Sequence, residues 1–302
     1  MGWDVSTVRC QAIDARGFQR ALSGTIGDMN RTSAFPTVAA ALVLLALYPI
    51  ASYSKPPKKP SNKPQSQQQA APAQQSQAQP EPAPPAGLDE VDKQLWHYQT
   101  DAARDALGRL MDQADANAYV ATAYGRVLEQ QKNYGDAESR LRKATELAPN
   151  DPAPFVYLGE VYLRQRRGGD ADSAFRKAAD LARAKGGSTA AYYLGVAQQR
   201  LKQYDDAVAT LQGAQAPAPA LIPYQIGVTR AFQENWPAAA EQLTSAIGMD
   251  SGLAYAYYYR GLAQDKLGRK DLLVNDMERF LALAPNAPEA EQAKAILRAV
   301  KH

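Results

Sequence analysis

The sequence predicts an all-α protein built as a solenoid of antiparallel helix pairs. Beyond residue 88 the apolar residues follow helical spacing, and no segment alternates apolar and polar residues as a half-buried strand does. Small residues also recur in this part of the chain with a mean period of 34 residues. Because a helix pair leaves an apolar face that only the next pair can cover, such a repeat implies that the pairs stack.

The repeat is carried by glycines and alanines in register. The glycines are Gly125, Gly159, Gly195, Gly227 and Gly261, spaced 34, 36, 32 and 34 residues apart. Twelve residues after each glycine come Ala137, Ala171, Ala207, Ala239 and Leu273, and seven further on come Ala144, Ala178, Ala214, Ala246 and Phe280. The irregular spacings coincide with residues 185–188 and 216–219, which are rich in glycine and proline, so we expect them to lie in turns.

This register resembles that of the tetratricopeptide repeat (TPR) family over about residues 118–287. Five repeats would start near Ala118, Pro152, Ser188, Ala220 and Ala254, and the family's large apolar position 24 is matched by Leu141, Phe175, Leu211, Leu243 and Met277. The first-helix aromatic is matched at Phe155 and Tyr257 but not in the other three repeats. The resemblance implies a right-handed superhelical solenoid.

Both ends of the array carry helical sequence that can cover it. Residues 288–302 predict a C-terminal capping helix with Pro288 in its first turn. Residues 88–117 predict either N-terminal capping helices or a degenerate repeat, because Ala103 and Leu107 stand 34 residues before Ala137 and Leu141.

An uncharged stretch, residues 34–53, precedes this helical part. Its 20 residues are long enough to span a bilayer core, and its dense apolar centre also suits a secretory signal. No clean Ala-x-Ala cleavage site follows, which favours an uncleaved signal anchor over a cleaved signal peptide. Residues 1–33 form a polar segment. If translation starts at Met29, residues 1–28 are an extension upstream of the true start site.

Residues 54–87 consist almost wholly of Pro, Gln, Ala, Ser and Lys and contain no aromatic residue. Such a segment buries too little apolar area to offset its conformational entropy. We therefore predict a disordered linker that holds the helical part away from the membrane.

Composition argues against several classes of function. Of 34 basic and 31 acidic residues, eight basic and four acidic ones lie in residues 1–86, so the remainder is about neutral and we expect no nucleic-acid partner. Cys10 is the only cysteine, and His97 and His302 are the only histidines. No phosphate-binding or dinucleotide-binding motif is present either. We expect no enzyme, no cofactor and no metal site.

The resemblance also implies where a partner would bind. In this family the first helix of each repeat lines the concave surface, chiefly through positions 2, 5, 9, 12 and 13. The groove residues carried over in this way are Tyr119, Thr122, Arg126, Val156, Glu160, Tyr192, Tyr224, Tyr255 and Tyr258. The alternative is that some of the tyrosines pack between repeats. Three further tyrosines lie one residue later in their helices and are less clearly assigned to the groove, namely Tyr157, Tyr193 and Tyr259.

The peptide-tail clamp of some family members is absent here. The matching positions are Arg126, Glu160, Val196, Val228 and Leu262. This composition favours an apolar or aromatic segment of another protein as the ligand. We expect Arg164, Arg166 and Arg167 to lie in a solvated turn, and Trp96, Trp236 and His97 to pack between helices.

The predicted function is that of a membrane-tethered scaffold for protein interactions in bacterial envelope assembly, such as pilus, secretion or polysaccharide machinery. The expected location is the cytoplasmic membrane, with a single pass and the repeats outside the cytoplasm. Two alternatives stay open, a recruiter facing the cytoplasm and a platform that self-associates into a homo-oligomer. The positive-inside rule does not decide between the two orientations, because basic residues flank residues 34–53 on both sides.

Overall fold

The computed structural model describes residues 83–301, and within them the chain is helical. The helices are α1 Leu88–Trp96, α2 Thr100–Leu107, α3 Ala118–Gln130, α4 Tyr134–Leu147, α5 Pro152–Arg164, α6 Gly168–Lys185, α7 Gly187–Arg200, α8 Tyr204–Gln212, α9 Leu221–Phe232, α10 Trp236–Met249, α11 Ala254–Lys266, α12 Lys270–Leu283 and α13 Ala290–Lys301. A 3₁₀ helix, Gly108–Gln113, extends α2. The predicted fold class, a right-handed solenoid of antiparallel helix pairs, is confirmed.

The polar N-terminal segment, the apolar stretch 34–53 and most of the predicted linker lie outside the described residues. Among the residues that are described, none of the helices is both long enough and apolar enough to cross a membrane.

Several helices begin at side chains that satisfy the free backbone N–H groups of the first turn. The Asn117 side chain accepts from Tyr119 N at 2.9 Å at the start of α3, and Asp151 accepts from Ala153 N at 3.2 Å at the start of α5. Pro152 follows as the first residue of α5, where a missing N–H costs nothing. These caps place the first helix of each of these two repeats.

The turn between the two helices of each repeat has one conformation throughout. The fifteenth residue of each repeat lies in this turn and has a left-handed backbone conformation. The φ values are 64°, 63°, 63°, 59° and 75° at Lys132, Arg166, Lys202, Glu234 and Gly268. The next N–H then reaches back to the first helix, as Asn133 N does to Leu128 O at 2.9 Å. Tyr98, 34 residues before Lys132, takes the same conformation with φ 61°. The turn between α1 and α2 therefore repeats the turns of the array.

The repeat glycines let the two helices of a pair approach closely. A Cβ at Gly159 would lie 2.6 Å from Cε1 of Phe175, and a Cβ at Gly227 would lie 2.6 Å from Cγ of Leu243. Gly125 and Gly195 meet Leu141 and Leu211 in the same way. The large residues facing these glycines are buried, so they form the core of each helix pair.

The first helices of the repeats form the inner face of the curved array. Each of α3, α5, α7, α9 and α11 contacts the first helix before it as well as its own second helix, whereas successive second helices contact one another far less. At the C-terminal end α13 begins at Ala290, two residues later than predicted, and covers the last repeat with Ala293 and Ile296.

Replacing Gly159 with alanine tests this packing. The new methyl group would overlap the rigid Phe175 ring, and overpacking of this kind costs about 1–3 kcal/mol, against a gain of at most about 1 kcal/mol in helix propensity. We expect Gly159→Ala to lower the free energy of unfolding, measured by chemical denaturation followed by circular dichroism.

Gly261→Ala is the matched variant, because its Cβ would meet the flexible end of Met277 at 3.0 Å, Cβ of Asp276 at 3.2 Å and Cδ1 of Leu273 at 3.6 Å. It should lose less stability than Gly159→Ala. Equal losses in the two variants would contradict this account of the helix contact.

Candidate functional site: the inner face and its closure

The nine predicted groove residues fall into two groups. Four of them, Thr122, Val156, Tyr192 and Tyr258, are buried. The other five, Tyr119, Arg126, Glu160, Tyr224 and Tyr255, are partly buried.

The buried group is held within the helix packing. The hydroxyl of Thr122 donates to Ala118 O at 2.7 Å, and Val156 belongs to the main apolar cluster. The ring of Tyr192 lies 5.2 Å from that of Tyr193, and the ring of Tyr258 lies 5.0 Å from that of Phe280. In this structure these four residues offer little surface to a partner.

Arg126 is the more deeply buried of the two charged groove residues, with 12% of its side chain exposed. It pairs with Asp92 on α1, and its guanidinium lies 4.5 Å from the centre of the Tyr157 ring. Burial lowers the pKa of Arg126, but Tyr157 and Asp92 raise it above its ordinary value. Arg126, which matches one position of the TPR peptide clamp in sequence, therefore binds a carboxylate of its own chain.

Glu160 is also paired within the inner face. Its Oε1 accepts from Nε of Arg200 at 2.6 Å, which joins α5 to α7. Each side chain is about one quarter exposed. Ion pairs enclosed to this degree lose hydration, and their mutual attraction repays that loss only when the geometry is good.

Arg164 joins three elements of the inner face. Its Nε donates to Glu129 at 3.2 Å and its Nη1 donates to Glu289, just before α13, at 3.0 Å. The expectation of a solvated turn is therefore wrong for Arg164, although Arg166 and Arg167 are exposed. Burial raises the pKa of Glu129 above its usual range, more than the attraction of Arg164 lowers it.

Tyrosines fill the space between these ion pairs. Tyr157, Tyr193, Tyr224 and Tyr259 are all partly buried and belong to the margin of the main apolar cluster. Burial raises the pKa of each of the four phenols above its ordinary value of 10.0. Tyr157, Tyr193 and Tyr259 occupy repeat position 6, so this position contributes more tyrosine to the open part of the inner face than position 5 does.

The two ends of the array meet. His97 Nε2 lies 2.8 Å from Oδ2 of Asp250, and the Tyr98 ring lies 5.6 Å from the ring of Tyr255. The hydroxyl of Tyr255 in turn donates to Glu289. The first two contacts connect the first turn of the array to its fourth and fifth repeats, and the third ties Tyr255 to the segment before α13.

Sequence reasoning missed most of the charged partners. Arg164 and Arg200 stand at position 13 and Glu129 at position 12, both of which belong to the family's concave set, so the register could have found them. Glu289 and Asp250 lie 125 and 153 residues from the groups they bind, and no local pattern marks them.

The described residues contain no group of three or more His, Cys, Asp and Glu side chains placed to hold a metal ion.

No family model matches the chain, and no curated protein matches it either. Solved structures similar to it include a thermophilic TPR protein of Thermus thermophilus, with 17% identity and a TM-score of 0.48 over 61% of this chain and 98% of that chain. A tetratricopeptide repeat protein of Parabacteroides merdae matches with 11% identity and a TM-score of 0.48, over 71% of this chain and 83% of its own. YrrB, a TPR protein with an unusual peptide-binding site, matches with 20% identity and a TM-score of 0.34, over 63% and 98% of the two chains.

The raised phenol pKa values predict how the protein responds to alkali. The inner tyrosines stay neutral in the folded state above pH 10, whereas in the unfolded state they ionise near 10.0. Their contribution to stability is therefore fully present below pH 10 and is lost as the pH rises above it.

We expect absorbance at 295 nm to show these phenols ionising together with the loss of helical circular dichroism. If all the tyrosines ionise with an ordinary midpoint near pH 10 while the helical signal is kept, the inner tyrosines are not enclosed as described.

Proposed function

We propose that this chain is a scaffold that binds a segment of another protein on the inner face of its helical array. The observation that carries the proposal is the chemical contrast between the two kinds of interior. Between the helices of a pair the buried residues are mainly apolar, with Asp276 bound to Arg260 as the exception in the last repeat, whereas the inner face is built from tyrosines and from arginines paired with carboxylates. Tyrosine and arginine dominate the energetic centres of protein interfaces.

A core serves stability best with aliphatic residues, because enclosed ion pairs are often no better than well-packed apolar side chains. The ion pairs of the inner face can take part in ligand recognition, because each arginine or carboxylate can exchange its internal partner for a group on a ligand. The tyrosines supply apolar area together with a hydroxyl at low entropic cost. We infer that the ligand is an extended or helical segment whose apolar or aromatic side chains contact the tyrosines and whose polar groups replace the internal partners.

The test uses a phage-displayed library of random peptides selected against the full chain. Selected peptides should bind Tyr224→Ala at least about tenfold more weakly, because truncating a central interface tyrosine typically costs on the order of 2 kcal/mol. Affinities would be measured by isothermal titration calorimetry, with circular dichroism confirming that the variant is folded.

Tyr124→Ala is the control. Tyr124 is another partly buried tyrosine on a first helix, but its ring lies 4.9 Å from Arg140, beside a different surface. Selected peptides that bind the Tyr224 and Tyr124 variants equally well would contradict the proposal.

We further propose that residues 34–53 anchor the chain in the cytoplasmic membrane and that residues 54–87 tether the array, with envelope assembly proteins as partners. The support is the length and apolarity of the first segment and the proline-rich, aromatic-free composition of the second. This arrangement would keep the array close to the membrane while leaving it free to reach its partners.

Deleting residues 34–53 should move the protein from the membrane fraction to the soluble fraction after alkaline carbonate extraction. A Ser66→Cys variant in a Cys10→Ala background should react with a membrane-impermeant thiol reagent in intact cells. Reaction only after lysis would instead place the array in the cytoplasm, and a soluble parent chain would refute the anchor.

A further inference from the structure

The contact between the two ends of the array involves a small set of side chains. We call it the clasp and define it as His97, Tyr98, Asp250, Gly252, Tyr255 and Glu289. Its members come from the turn after α1, the loop before α11, the start of α11 and the segment before α13. Tyr98 also packs against the C-terminal apolar cluster rather than only against its own end of the array.

The clasp is weaker than the contacts between successive repeats. Across the junction the clasp has one polar pair, His97 with Asp250, and one ring contact, Tyr98 with Tyr255. Successive repeats, by contrast, share continuous apolar clusters along whole helices. The clasp can therefore open while the repeats stay folded.

The clasp also contains one unfavourable feature. The hydroxyl of Tyr98 is buried and has no hydrogen-bond partner among the described residues. An unsatisfied buried hydroxyl costs free energy. Opening the clasp would expose this hydroxyl to water and remove that cost.

Gly252 shows how closely the clasp is fitted. A Cβ at this position would lie 2.6 Å from Cε1 and Nε2 of His97, which is far inside van der Waals contact. The Gly252 N–H donates to Oδ1 of Asp250 at 2.9 Å, and Gly252 is not among the glycines with positive φ. Alanine fits its backbone but displaces the His97 ring, and it removes no charge.

We propose that the clasp is an intramolecular gate, which must open before the inner face can receive the peptide segment of a partner. This inference rests on the proposed function and adds its regulation. Because only the open form binds, the apparent affinity is reduced by the fraction of molecules that are open. Weakening the clasp should therefore raise the reactivity of the inner face and its affinity for peptide by the same factor.

The experiment compares the full chain with its Gly252→Ala variant. Tyrosines are modified with N-acetylimidazole and located by mass spectrometry, and the rates at Tyr157, Tyr193, Tyr224 and Tyr259 report opening. We expect these rates to rise about tenfold, since a forced overlap typically shifts such an equilibrium by an order of magnitude. The affinity of library-selected peptides should rise by the same factor.

Two internal controls accompany the variant. Gly248→Ala lies in the neighbouring helix α10 with open space around its Cβ, so it should change neither quantity. The rate at Tyr124 should stay constant in all proteins. If Gly252→Ala lowers the melting temperature of the whole array, Asp250→Asn weakens the same contact while keeping its shape and should give the same two increases.

The outcomes separate the gate from the proposed function. Unchanged tyrosine rates in both clasp variants would overturn the gate, as would raised rates with unchanged affinity for peptides that depend on Tyr224. Peptides whose binding does not depend on Tyr224 would instead refute the inner face as the binding surface.

Discussion

The architecture depends on one contact that occurs in every repeat, between a glycine on the first helix and a large side chain on the second. Gly159 and Phe175 illustrate it, since no Cβ could fit between them. Close approach at this point fixes the crossing of each helix pair, and the next pair stacks on the result. The first helices then lie nearer to one another than the second helices do, and the array curves until its ends touch.

Curvature also explains why two different kinds of interior coexist in one molecule. The space between paired helices is mainly apolar, and the last pair also encloses Asp276 bound to Arg260. The inner face forms only when the whole array is assembled, and it contains tyrosines and ion pairs such as Glu160 with Arg200. Its ion pairs join different repeats, so their arrangement is a property of the superhelix rather than of any single repeat.

The sequence was sufficient to predict the local structure, because the signals are local. Glycine and alanine in register gave the helix pairs, and Gly186 and Gly187 marked a turn between repeats. Register alone could not separate Tyr192, which is buried, from Tyr193, which borders the inner face, because one residue rotates a side chain by about 100° around a helix. The pairing of His97 with Asp250 was beyond prediction, since it depends on curvature summed over four repeats.

The ends of the array meet beside an inner face of tyrosines and ion pairs. The most direct test is a distance measurement by pulsed electron paramagnetic resonance on the full chain, with spin labels at Lys93→Cys and Ser251→Cys in a Cys10→Ser background. Both positions are exposed and flank the contact between His97 and Gly252. We expect one narrow distribution at short distance. A broad distribution at long distance would show an open superhelix and contradict the contact between the two ends.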